Sequence, residues 1–119
     1  MLALSGALGS GKTTFVQGLA EGLGLGSRII SPTFILMRSY NAKSVNLYHV
    51  DLYRLEGDIA NDFENLGIAD FWEKPNNIVV IEWAEKAKDL LPEKAIWINF
   101  ENIDGDKRKI KLMDHYSLI

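Results

Sequence analysis

Apolar positions along this chain switch between two spacings, and the switches mark its elements. Leu2-Ala3-Leu4-Ser5 is a short apolar stretch that stops at Gly6, as a buried strand does. From Lys12 to Leu23 the apolar residues Phe15, Val16, Leu19, Ala20 and Leu23 recur at helical spacing, and Gly24 stands where a helix cap belongs. The opening therefore predicts strand, glycine-rich loop, helix.

Arg28-Ile29-Ile30 reads as a short strand ended by Ser31-Pro32. A β-hairpin follows, with arms over Phe34–Tyr40 and Val45–Tyr53 and a turn over Asn41–Ser44. Alternation in the second arm puts Val45, Leu47, His49, Asp51 and Tyr53 on one face. Residues 56–77 mix charges with Gly67, Pro75 and paired asparagines, and predict a mobile connection holding a short helix over Ile59–Leu66. Ile78-Val79-Val80-Ile81 is a β-branched run suited to a central parallel strand. Ala84–Leu91 predicts a short helix closed by Pro92, and Ala95–Glu101 with Arg108–Met113 a final strand pair joined through Asp104-Gly105.

With 119 residues the chain is large enough for one compact core and too short for two, so residues 1–119 are expected to form a single domain. Its 47% hydrophobic and 24% charged content is that of a globular protein. The formal net charge of -3 argues against a protein that grips nucleic acid by neutralising phosphates, so DNA is not an expected partner and RNA would be held by another protein. The one basic stretch, Lys107–Lys111, also reads as an exposed edge strand, where lysines discourage aggregation. Cysteine is absent, which excludes disulfides and thiolate metal sites. No apolar run approaches the roughly 20 residues of a membrane span, and Met1–Leu4 lacks a secretory pattern. A cytoplasmic location is expected.

The sharpest signal is Gly6-Ala7-Leu8-Gly9-Ser10-Gly11-Lys12-Thr13, a full match to G-x-x-x-x-G-K-[ST] between a strand and a helix. Glycines let backbone amides turn inward around phosphates, and the helix start aims its positive end at the same anion. Lys12 would reach the β- and γ-phosphates, and the Thr13 hydroxyl would ligate Mg2+. Such a site also needs an acid at a neighbouring strand end. Glu82 closes the apolar run Ile78–Ile81, and Asp51 closes Leu47–Val50. Asp51 is alternatively a solvated acid or a partner for Arg54. Thr33 would either sense the γ-phosphate, as mobile threonines do in P-loop switches, or satisfy turn backbone. Trp83 would shield the site or belong to the core, and His49 would orient Asp51 or be buried with an ordinary hydrogen bond.

Together, these stretches resemble the TsaE (YjeE) family. The resemblance rests on Leu8–Phe15 with Gln17-Gly18, Ser31-Pro32-Thr33-Phe34, His49-Val50-Asp51-Leu52-Tyr53-Arg54-Leu55, Glu64-Asn65-Leu66-Gly67 and Ile81-Glu82-Trp83. It implies an α/β, P-loop NTPase-like fold: a mainly parallel sheet flanked by helices, with an antiparallel hairpin insertion. It implies ATP or ADP bound with Mg2+, and an ATPase weak alone that works with a TsaB–TsaD pair. That assembly transfers a threonylcarbamoyl group to adenosine 37 of tRNA, so tRNA is met only indirectly. By the same resemblance Gly9, Ser10, Gly11, Lys12, Thr13 and Thr14 bind the phosphates, Thr13 and Glu82 serve the metal, and Asp51 is needed for hydrolysis. Thr33 belongs to a nucleotide-responsive loop. Family members carry a further segment before the P-loop strand, so a truncated start or a minimal homologue is expected. The basic residue expected near Gly105 falls among Lys107, Arg108 and Lys109.

The chemistry expected is metal-assisted hydrolysis of the γ-phosphate, with Asp51 or Glu82 positioning the water. Two rivals are a small P-loop kinase, which would need an arginine-rich lid, and a nucleotide-gated assembly module whose hydrolysis is incidental. A GTPase would need an N-K-x-D base-reading motif, which the chain lacks.

Overall fold

The computed structural model describes residues 1–7, 9–25, 37–41, 44–70 and 72–113. Its strands are β1 (Leu2–Gly6), β2 (Met37–Asn41), β3 (Asn46–Asp51), β4 (Asn77–Glu82), β5 (Ile96–Asp104) and β6 (Lys107–Met113). Two α-helices, α1 (Lys12–Gly22) and α2 (Ile59–Asn65), and two 3-10 segments, Ile68–Asp70 and Ala84–Leu90, complete the described elements.

The strands form one six-stranded sheet in the order β2-β3-β4-β1-β5-β6. β3, β4, β1 and β5 run parallel, and β2 and β6 close the edges antiparallel to β3 and β5. This is the mainly parallel α/β sheet with an antiparallel hairpin that the sequence leads one to expect. The run Ile78–Ile81 lies between β3 and β1 as a central strand, covered on both faces.

Strand alternation divides the core in two. Leu4, Leu47, Val80, Ile98 and Phe100 face α1 and pack with Val16 and Ala20. Ala3, Val50, Val79, Ile81 and Trp97 face the other way, against Phe63, Ile68, Ala84 and Ala87. Each of these strands therefore presents one apolar set to α1 and another to the α2 side.

α1 ends in a Schellman closure: the Leu25 amide donates to Ala20 O at 2.9 Å and the Gly24 amide to Glu21 O at 3.0 Å. Leu23 occupies the cap itself, and Gly24, at φ +80°, is the left-handed residue after it. The Asp58 side chain caps α2 by accepting the Asn61 amide at 3.1 Å.

Several elements differ from expectation by more than a residue or in kind, and others by one residue at an end. The second hairpin arm ends at Asp51 because the chain turns there: the Asp51 carboxylate accepts the Tyr53 amide and Leu52 O accepts the Leu55 amide. The helix expected over Ala84–Leu91 is a 3-10 segment broken at Ala87 (φ -125°). Ala84 and Ala87, at the start of the segment and at its kink, are both buried against the sheet. β5 runs past Glu101 to Asp104, and the turn into β6 is Gly105-Asp106. α2 stops one residue short of Leu66. The strand expected at Arg28–Ile30, the start of the first hairpin arm and Thr33 lie outside the described residues.

Candidate functional site

The carboxyl end of the parallel sheet, where the phosphate-binding loop leaves β1, opens into a cleft of about 660 Å³. Its floor is the loop and first turn of α1: Gly9, Ser10, Gly11, Lys12, Thr13 and Thr14. Asp51, Tyr53, Glu82 and Trp83 line one side, and Phe100, Asp106, Arg108 and Ile110 the other.

Gly6 can only be glycine, since a Cβ there would stand 2.3 Å from Phe100 O. Gly11, at φ +105°, turns the chain into α1 and caps it without a side-chain hydrogen bond. The first amides of α1 thus have no side-chain cap over them at the cleft floor, the arrangement that suits an anion.

Lys12 is buried, and its ammonium donates to Gly6 O and to Ala7 O (3.1 Å) while lying 3.9 Å from the centre of the Trp83 ring. Burial pushes its pKa below the ordinary value, opposed by the nearby negative charges of Glu85, Glu82 and Asp51. Glu85 also accepts the Gly6 amide at 3.1 Å. Trp83 itself has a left-handed backbone, φ 58°, which a bulky residue adopts at a cost, and its ring leans on Tyr53 at 5.1 Å.

The two acids stand side by side because Asp51 of β3 is the register partner of Glu82 of β4. Glu82 is engaged at both oxygens. Oε1 accepts the Thr13 hydroxyl at 2.9 Å, and Oε2 is 2.5 Å from His49 Nε2. Asp51 accepts the Tyr53 amide at 2.9 Å. The Lys86 ammonium holds the segment after Asp51, donating to Tyr53 O at 2.6 Å and Leu55 O at 3.1 Å.

Every described residue proposed from the sequence for phosphate, metal or hydrolysis lines this one cleft. His49 is buried and hydrogen-bonded, with Glu82 as its partner. Trp83 lies at the site over Lys12. Arg54 is exposed and outside the lining, whereas Arg108, which sequence reasoning left unassigned, reaches Gly9 O at 3.3 Å. Its signal was the strand register: Ile110 pairs with Phe100 and Arg108 with Asn102, which turns the even-numbered side of β6 towards the loop. That register is invisible before β5 and β6 are aligned. Lys86 was also missed, because a lysine on a short polar helix reads as solvated surface.

The family model for threonylcarbamoyl adenosine biosynthesis protein TsaE matches residues 1–110. The chain belongs to the TsaE family. Its curated relatives are named tRNA threonylcarbamoyladenosine biosynthesis protein TsaE. The protein of Haemophilus influenzae is 39% identical over 99% of this chain and 72% of its own length. That of Bacillus subtilis is 37% identical over 92% of this chain and 66% of its own length. That of Treponema pallidum is 40% identical over 92% and 78%. The crystal structure of Bacillus subtilis YdiB superposes with a TM-score of 0.70 at 34% identity, over 92% of this chain and 64% of that one. The chain thus spans about two thirds to three quarters of the length of these TsaE relatives. Among the described residues no helix is long and apolar enough to cross a membrane.

Proposed function

We propose that this protein binds Mg-ATP in the cleft and hydrolyses it in support of tRNA threonylcarbamoylation. The observation that carries the reading is the pairing of a complete phosphate-binding loop with Glu82, whose carboxylate holds the Thr13 hydroxyl at 2.9 Å. The donor set suits Mg2+: both groups offer oxygen, and among the described residues no cluster of three or more His, Asp or Glu would cage an ion. Mg2+ is commonly held by one or two protein oxygens with phosphates and water completing its shell. When bound, it would neutralise charge on the β- and γ-phosphates.

In this reading the loop amides and Lys12 take the phosphates, and Lys12 exchanges the carbonyls of Gly6 and Ala7 for phosphate oxygens. Water attacks the γ-phosphorus, the bond to the β–γ bridging oxygen breaks, and ADP leaves with that electron pair. Asp51 orients the water. Glu82 is tied to Thr13 and His49, and it serves the metal. Trp83 and Tyr53 restrict solvent on that side. Activity is expected to be weak alone and raised by a TsaB–TsaD pair, which holds the tRNA in the compartment where tRNA is modified, the cytoplasm.

Steady-state ATP hydrolysis measured with and without TsaB–TsaD tests this. Low basal turnover that rises with the pair is the expected result. No Mg-ATP binding by folded protein would end the nucleotide reading, and full activity in isolation would end the partner-dependent part.

A further inference from the structure

His49 has no assigned role in the reaction, yet it is the most completely buried titratable side chain beside the cleft, at 0% exposure. Its Nε2 lies 2.5 Å from Glu82 Oε2, while the other oxygen of the same carboxylate accepts the Thr13 hydroxyl at 2.9 Å. We infer that His49 is a positioning residue: it anchors Glu82 from below so that the carboxylate faces Thr13 and the metal position. The inference rests on the Mg-nucleotide reading above and adds a residue to it.

The geometry follows from the sheet. His49 and Asp51 lie on the same face of β3, one pleat apart, and Asp51 is directly opposite Glu82. Glu82 therefore has a like-charged neighbour beside it and an imidazole diagonally beneath. A carboxylate accepts, so Nε2 is the nitrogen that carries the proton. Nδ1 is buried with no partner among the described residues, so within them the ring's polar engagement is with Glu82. A glutamate side chain has three rotatable bonds. Fixing one oxygen from a buried ring removes its freedom to swing towards Lys12, whose ammonium lies in the field of the same carboxylate. An apolar residue at position 49 would fill the space equally well between the sheet and α1. It would leave Glu82 Oε2, in a residue only 2% exposed, without its partner.

Three variants separate positioning from packing. His49→Leu keeps bulk and removes the donor. His49→Gln places an amide nitrogen at about the reach of Nε2. His49→Asn stops one bond short. Calorimetry of ADP binding across a Mg2+ series, with an arm in EDTA, is the principal readout, and ATP turnover is the second. The expected result is that His49→Leu and His49→Asn raise the Mg2+ concentration for half-maximal tightening of ADP by about 10–100-fold, the usual cost of removing a partner of a metal-ligating group. ADP affinity in EDTA stays at the wild-type value, and His49→Gln restores the Mg2+ dependence. An unchanged Mg2+ dependence in the Leu and Asn variants overturns the inference, as does equal impairment of Gln and Asn. Should His49→Leu fail to fold, the Gln–Asn pair decides alone. Absence of ADP binding by the wild-type protein overturns the nucleotide reading and this inference with it. Wild-type binding with indifferent variants overturns only the role of His49.

Discussion

The two walls of the cleft are built in opposite ways. The β3–β4 wall is interior: Asp51 and Glu82 end central parallel strands, and His49, Glu82 and Thr13 are bonded to one another over buried side chains. The β5–β6 wall is a hairpin edge, where every described residue from Glu101 to Leu112 is exposed and Ile110 and Leu112 are 58% and 70% accessible. Arg108 crosses from this edge to the loop, reaching Gly9 O at 3.3 Å. Buried, mutually bonded groups hold geometry and magnify charge effects, whereas an exposed strand edge adapts at little energetic cost. The metal and water chemistry would thus be carried by the rigid wall, and the β5–β6 rim would tolerate change.

The severest test of that contrast is Lys12→Met, which should lower Mg-ATP affinity at least about 100-fold by removing a charged donor to phosphate. It should leave the nucleotide-free protein folded, because the loss of the Lys12 hydrogen bonds to the Gly6 and Ala7 carbonyls is offset by removal of a buried charge. Burial depresses the Lys12 pKa, so the unfolded chain holds that proton more tightly than the folded one. Stability from this group therefore rises as pH climbs through the lowered folded value towards the ordinary 10.5. The variant should lose that slope in thermal melts taken across alkaline pH.

Next in size, Asp51→Asn and Glu82→Gln should each cut ATP turnover by about 100-fold or more, with different binding signatures. Glu82→Gln should also weaken the Mg2+ dependence of ADP binding, and Asp51→Asn should leave it near wild type. Identical signatures would dissolve the division of labour between the acids. Lys86→Met, which frees the carbonyls of Tyr53 and Leu55, should cost about 1–2 kcal/mol of stability. It should slow turnover several-fold while ADP affinity stays constant. Smallest of all, Leu112→Ser on the exposed rim should shift stability by no more than about 0.5 kcal/mol. A larger loss in chemical denaturation would mean that the β5–β6 edge is less independent than its exposure implies.

Much of this arrangement was legible in the residues. The strand–loop–helix around Gly6–Thr13, the hairpin into Asp51 and the apolar run into Glu82 each carry a local pattern, because strand burial and glycine turns are written in nearest neighbours. Helical periodicity was less decisive after Trp83, where the chain forms a 3-10 segment kinked at Ala87 that no short window announces. Arg108 and Lys86 were hidden for a related reason. Each is one basic residue among several, distinguished only by the surface it faces.

The amino-acid order by itself determined the chemistry on offer: a loop whose glycines clear space for backbone amides, a lysine and threonine behind it, and two acids at strand ends. Tertiary structure decided which of these groups meet. Strand order places β4 beside β1 and β3 beside β4, and only that register sets Asp51 against Glu82, His49 beneath it and Thr13 across from it. Local sequence specifies a residue's own conformation through short-range sterics, but side chains distant along the chain become neighbours only through the pairing of strands.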